Sequence, residues 1–203
     1  MQISIVLSQA AYGGASQYAK WNNAPSVLSF YTDSTIIGQF RNYIKTILNR
    51  KNSITGVVYK KTDKLPVTNY EISLEAERLE GLDFFCGLTF PVGSLKTCMT
   101  LVMGGWGGSV TGLSSIDGMD ASENSTGHYR RFEDKKWYRV KVRVTPANIT
   151  VWSNDEKIID LDTAGRKLGL RAGPIEDYAP LSLTTYQTTA AIRNVKVKTL
   201  PGK

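Results

Sequence analysis

Histidine and cysteine are nearly missing from this chain of 203 residues, which has one of the first and two of the second. No Cys/His zinc set with the usual spacing can be assembled from them. A catalytic cysteine would have only His128 to activate it. No apolar run approaches the roughly 20 residues that a membrane-spanning helix needs. The opening, MQISIVLSQAA, has no basic flank, and its apolar run is only Ile5 to Leu7 with Ile3 nearby. It does not read as a secretory leader, and the compartment stays open, a bacterial secreted or periplasmic origin included. Acidic residues are scarce at the start. Residues 1–64 hold eight Lys or Arg against two Asp or Glu, and residues 65–203 hold seventeen against sixteen, for a net charge of +7. Such a basic stretch attracts nucleic acid in some proteins. Here no helix-turn-helix, zinc-finger or RNA-recognition motif accompanies it, so a solvated basic helix face is expected, with neither nucleic acid nor membrane as partner.

What the chain does have is period two. From Asn69 onward YEISLEAERL, DFFCGLTF, TCMTLVMGG, WYRVKVRVT, NITVWSN, EKIIDLD, LGLRAG, LSLTTYQTTAAI and RNVKVKTL follow one another, punctuated by Gly, Pro, Asn and Asp. Tyr138, Val140, Val142 and Val144 alternate with Arg139, Lys141 and Arg143, which gives one buried and one wet basic face. Many strands without helices imply a mainly β fold, a sandwich or jelly roll. Glu71, Glu75 and Glu77 share one strand face, read as solvated. Trp137 and Trp152 are read as core. Cys86 and Cys98 stand on two runs joined by a turn; they either form a disulfide across a hairpin or remain two small buried thiols.

Residues 1–64 read differently, as strand, loop, helix, loop, and residues 65–203 as the sandwich domain. Thr32, Asp33 and Ser34 are N-cap candidates. Ile36, Phe40, Ile44, Ile47 and Leu48 then recur at helical spacing, which predicts an amphipathic helix over 34–50. Its apolar stripe must pack on the sandwich or on a second copy of the chain, giving a homo-oligomer.

The segment Leu101 to Asn124, LVMGGWGGSVTGLSSIDGMDASEN, holds six glycines, one tryptophan and three carboxylates, and no Lys or Arg. Glycines let a backbone approach a ligand closely. Trp106 offers a flat apolar face with a polar edge, a platform for a sugar ring. Asp117, Asp120 and Glu123 supply acid, base or metal-ligand oxygens. The alternative is a Gly-rich strand and loop with solvated acids, Asp117 bonding its own turn before Gly118. Asp117, Asp120, Glu123 and Asn124 also form an oxygen-rich group able to hold Ca²⁺, although their spacing matches no calcium-loop motif; no metal site and no cofactor are expected. Asn124-Ser-Thr and Asn148-Ile-Thr are glycosylation sequons.

Two stretches carry resemblances. YEISLEAERLEGLDFFCGLTFP, GGWGGSVTGLSSIDGMDASEN and KKWYRVKVRVTPANITVWSNDEKIIDLD, with GLRA and the closing TTAAIRNVKVKTL, resemble the concanavalin-like jelly-roll domains of the 3-keto-disaccharide hydrolase family. That resemblance implies sugar cleavage or glycan binding on a β-sandwich. Asp117 falls where that family has a Glu-x-Gln-x-x-Asp strand on its concave face, and Gly112 and Ser115 depart from the pattern. GGASQYAKW and FYTDSTIIGQFRNYIKTILNRKNSITGVVYK, within residues 3–59, resemble part of a family 5 glycoside hydrolase of the mannanase type. The Asn-Glu-Pro motif that carries that family's acid/base glutamate is absent, and one strand-helix unit cannot close a barrel. Side by side, the two resemblances read as a junction of two gene pieces.

The resemblance and the Gly/Trp/acid segment imply a carbohydrate-active protein acting on a β-glucan, a mannan or a modified disaccharide. As a glycoside hydrolase it would use Asp117 and Glu123 as acid and base and His128 as a proton carrier. Trp106, Asp120, Asn124, Tyr129 and Arg130 would bind the sugar. The spacing of three between the acids departs from the one-strand arrangement of sandwich glucanases. The alternative is a non-catalytic glycan-binding module with an oligo- or polysaccharide partner. An interaction domain with no sugar site is a third reading.

Overall fold

A computed structural model describes residues 54–59 and 62–201, and the backbone of three earlier strands. Those earlier strands are β1 (Gln2–Val6), β2 (Ser26–Tyr31) and β3 (Thr46–Leu48). Then come β4 (Ile54–Tyr59), β5 (Tyr70–Gly81), β6 (Cys86–Val92), β7 (Ser94–Gly104), β8 (Val110–Ser114) and β9 (His128–Tyr129). The last five are β10 (Tyr138–Val144), β11 (Asn148–Ser153), β12 (Glu156–Asp162), β13 (Ser182–Tyr186) and β14 (Thr188–Thr199). Pairing runs β12-β11-β10-β5-β14-β1-β2-β4-β13-β6-β7-β8-β9, with β3 also on β14. All these pairs are antiparallel except β2 with β4. The path forms two layers: β12 to β1 on one side, and β4, β13 and β6 to β9 on the other. The fold is a mainly β sandwich of jelly-roll type.

Alternation makes the layers. In β10 Tyr138, Val140, Val142 and Val144 are buried while Arg139 is exposed and Lys141 and Arg143 are half-buried. The core draws Ile72, Leu74 and Val142 from the first layer, and Leu88, Phe90, Leu101 and Leu113 from the second. Burying each such side chain stabilises the fold by about 1.5–3 kcal/mol. Phe132 packs edge-on against both Phe85 and Tyr138, with centroids 5.0 Å apart in each case. The layers are also tied by a buried hydrogen bond in which the Tyr70 hydroxyl donates to the Pro91 carbonyl at 2.5 Å.

Several expectations need correcting. Residues 34–45 of the expected helix lie outside the described residues, and so do Ile36, Phe40 and Ile44 of its stripe. Thr46–Leu48 is a strand, paired with Ala190 to Ile192 of β14. The free edge of β14 offers backbone hydrogen bonds there, and strand pairing overrides the helical spacing. Strand β4, also within residues 1–64, pairs with β13 and puts Val57 and Tyr59 into the core. LGLRAG is a loop, held by one bridge from Leu168 to Ile116. Trp137 and Trp152 are not core. Trp152 falls on the outer face by the alternation that points Ile149 and Val151 inward and sets it opposite Lys141, and Trp137 lies 3.8 Å beneath the Arg193 guanidinium. Cys86 pairs with Met103 and Cys98 with Pro91, so the two thiols are never opposite each other; both are free and buried. Glu71, Glu75 and Glu77 do share a face, but the first two are paired with Arg143 and Arg193 and Glu77 is buried.

Candidate functional site

The second layer has an unusual outer face. Across β4, β13, β6, β7 and β8 the register aligns Val58, Ser182, Thr89, Thr100 and Ser114 in one row. The adjoining row is Gly56, Thr184, Gly87, Val102 and Gly112. None of these side chains belongs to the core cluster, whose members on the same strands occupy the alternate positions. One row is thus hydroxyl-rich and the other is mostly bare backbone. Thr89 and Thr100 share a hydrogen bond at 2.9 Å, while the buried Ser182 Oγ has no hydrogen-bond partner among the described residues. The glycines are needed for space. A Cβ on Gly87 would stand 2.3 Å from Thr184 Oγ1, and one on Gly112 would stand 3.0 Å from the Ala121 Cβ.

Two loops rise over this floor. The Ser114 hydroxyl at the end of β8 donates to Asp120 Oδ1 at 3.1 Å. Asp120 Oδ2 in turn meets the Arg171 guanidinium at 3.2 Å. The same guanidinium lies 5.9 Å from the centre of the Trp106 ring. Trp106 stands in the tight turn Gly105–Gly108 between β7 and β8, with a left-handed backbone (φ 48°, ψ 57°), and is 38% exposed. The Asp83 carboxylate accepts from the Gly107 N–H at 3.2 Å and holds that turn. Ser114, Asp120, Arg171 and Trp106 therefore form one contact chain, ending in a half-open aromatic plate with a guanidinium and a carboxylate at its edge.

The other expected residues are placed as follows. Asp117 sits in the turn Ile116 to Met119 with φ 54°. Its Oδ1 accepts from the Lys167 N–H at 2.8 Å and its Oδ2 from Arg166 at 3.0 Å. The backbone N–H of Lys167 and then the Arg166 guanidinium hold its carboxyl below the usual carboxylate range. Glu123 is exposed and accepts from the Asp120 N–H at 3.3 Å, closing its own turn. The Asn124 amide is buried. It donates to the carbonyls of Leu113 (2.8 Å), Met119 (3.2 Å) and Asp120 (2.8 Å), and its oxygen accepts from the Thr126 N–H and hydroxyl (2.9 and 2.6 Å). Arg130 pairs with Glu156 at 2.7 Å, and Tyr129 is 84% exposed. His128 lines a separate groove of about 290 Å³ with Ser125, Thr126, Lys157 and Asp160, and neither Asp117 nor Glu123 borders it. Among the described residues no three His, Cys, Asp or Glu side chains converge, and Asp117, Asp120, Glu123 and Asn124 each have a side-chain oxygen in the bonds just given.

Residues 31–198 match the model of the 3-keto-alpha-glucoside-1,2-lyase-like domain family. The chain belongs to that family. It is a carbohydrate-active β-sandwich domain. Shorter stretches match plant mannanases. Mannan endo-1,4-beta-mannosidase 5 of Arabidopsis thaliana is 42% identical over 64 residues, 29% of this chain and 15% of that protein. Mannan endo-1,4-beta-mannosidase 1 of Oryza sativa is 38% identical over 63 residues, again 29% and 15%. The chain thus spans about 15% of the length of these curated relatives. Among solved structures, domain 4 of a GH43 extracellular arabinanase from Geobacillus stearothermophilus, in complex with arabinotriose, superposes with a TM-score of 0.45 at 16% identity. It covers 75% of this chain and 69% of that one. Carbohydrate binding module CBM66 of Bacillus subtilis gives 0.45 at 10% identity, covering 74% and 84%.

Within this lyase-like domain, the residue that sequence reasoning missed is Arg171. GLRA belongs to the family resemblance, but LGLRAG reads as a β run, which gives its arginine no destination. The hydroxyl row was also missed, because Thr and Ser on alternate strand positions look the same whether they face solvent or a covered floor.

Proposed function

We propose that the domain binds a carbohydrate at the corner formed by Trp106, Arg171 and Asp120, without cleaving a glycosidic bond through paired carboxylates. The observation that carries this is the contact chain Ser114–Asp120–Arg171–Trp106. It supplies what sugar recognition needs: a flat apolar plate for the C–H face of a ring, with fixed donors and acceptors at its rim for the hydroxyls. A hydrolase of the paired-carboxylate kind needs one acid protonated near neutral pH. Asp117 is held in the opposite direction, ionised and bonded at both oxygens. Glu123 is engaged in closing its own turn.

The family match favours a second reading, elimination on a 3-keto glucoside. There a single base is enough. The hydrogen on C2, acidified by the C3 carbonyl, passes to the Asp120 carboxylate, the C1–O bond breaks, and the departing oxygen takes a proton from water. The test is calorimetric titration with oligosaccharides of glucose and mannose and with a 3-keto glucoside, alongside product analysis. Binding that weakens about tenfold in Trp106→Ala and in Arg171→Ala supports recognition at this corner. Release of reducing ends that is lost in Asp117→Asn refutes it in favour of hydrolysis. An unsaturated keto sugar that appears with wild type and not with Asp120→Asn establishes the elimination.

A further inference from the structure

The outer face of the first layer carries a second row of chemistry that the corner at Trp106 does not use. Register aligns Lys157, Trp152, Lys141, Ser73 and Lys196 across β12, β11, β10, β5 and β14. A groove of about 340 Å³ follows it, bordered by Trp152, Lys141, Ser73, Lys196 and Arg139. The Lys141 ammonium rests 4.2 Å from the centre of the Trp152 ring, with Arg143 at 5.2 Å, so the ring fixes the cations in place.

The charges on this face are not equivalent. Arg143 is paired with Glu71, Arg193 with Glu75, Arg139 with Asp155 and Lys157 with Asp160. Lys141 and Lys196 have no carboxylate partner among the described residues. They stand two strands apart, about 10 Å by strand spacing, with the Ser73 hydroxyl between them.

We propose that this groove is a binding site for an anionic polysaccharide, one carrying carboxylates on its sugar rings. Lys141 and Lys196 would receive two acid groups about 10 Å apart, Ser73 would meet a hydroxyl between them, and the apolar edge of Trp152 would pack on a ring. Duplex DNA suits the face poorly. It presents one charge per about 1.7 Å of axis, and here Glu71, Glu75 and Asp155 interrupt the cations. A chain with one acid per sugar passes between those carboxylates.

The probe is polygalacturonate, compared with its methyl ester and with a 20-base-pair duplex, by affinity electrophoresis at two salt concentrations. Polygalacturonate should bind and the neutral ester should not. Lys141→Ala with Lys196→Ala should weaken binding about tenfold or more, and Trp152→Ala should weaken it while Trp106→Ala does not. Thermal denaturation confirms that each variant is folded. Failure of wild type to retard in polygalacturonate overturns the proposal. So does equal retardation by the ester, tighter binding of the duplex, or indifference of the folded double variant.

Discussion

Replacing Asn124 with alanine separates a ligand-binding residue from a scaffold residue. The Asn124 amide gathers the carbonyls of Leu113, Met119 and Asp120 and accepts from Thr126, so it pins the loop 115–127 to the end of β8. In Asn124→Ala the Leu113 carbonyl and the Thr126 N–H, both in buried bonds, lose their partners. Each orphaned group costs about 1–3 kcal/mol, so the pair costs about 2–6 kcal/mol; the partly exposed Met119 and Asp120 carbonyls can turn to water. For a chain of this size 1 kcal/mol moves Tm by about 2–4 °C, so a fall of about 4–24 °C is expected. The assay is thermal denaturation followed by circular dichroism, with sugar binding measured on the same samples. Asp120 rides on the same loop, so binding should weaken in step with stability. A Tm within about 1 °C of wild type together with lost binding would refute the scaffold role and return Asn124 to the ligand. The same geometry predicts that the Asn124 sequon is closed to glycosylation in the folded chain, since its nitrogen is committed to three carbonyls.

Asp117 has a depressed pKa, so its bonds to Lys167 and Arg166 stabilise the fold above the unfolded carboxylate value, near pH 4. That contribution fades as pH falls through the lower folded value. Urea midpoints of Asp117→Asn should lie below wild type at pH 7 and converge with it in strong acid; a constant gap at every pH would contradict this. Burial pushes the Cys86 thiol up to about 12 and the Cys98 thiol to about 11. Both should stay unreactive to an aromatic disulfide reagent at pH 8 until the chain is unfolded, and rapid labelling of the native protein would count against their burial. Gly87→Ala forces a Cβ to 2.3 Å from Thr184 Oγ1, and overpacking should lower stability by about 1–3 kcal/mol. An unchanged urea midpoint would mean that Thr184 turns aside freely.

The fold was legible wherever alternation was strict. YRVKVRV and YEISLEAERL declare their buried faces residue by residue, and they pair with each other in the structure. Legibility failed where a local rule met a tertiary one. Thr46–Leu48 has helical spacing but lies on the open edge of β14. Trp152 is large and apolar but falls on the outer face, because Ile149 and Val151 take the inward positions of β11. LSLTTYQTTAAI reads as one strand and is two, because Gln187 takes a left-handed backbone (φ 49°) between β13 and β14. At the site, Trp106 and Asp120 were nameable from the Gly/Trp/acid segment. Arg171 is 51 residues beyond Asp120 in sequence and meets it only through the folded loop. The same segment suggested Asp117 for proton transfer, and only its partners Arg166 and Lys167 reveal how firmly it is held ionised.

Side-chain NMR of Trp106 and Arg171 tests the sugar corner most directly. The indole N–H of Trp106 and the Nε–H of Arg171 are followed while a gluco- or manno-oligosaccharide or a 3-keto glucoside is added. Both signals should move together along one saturating curve, those of Trp137 and Trp152 should stay still, and the sugar should be recovered with its glycosidic bonds intact. Shifts confined to Trp137 or Trp152, or reducing ends accumulating while Trp106 stays unmoved, would contradict glycan recognition at this corner.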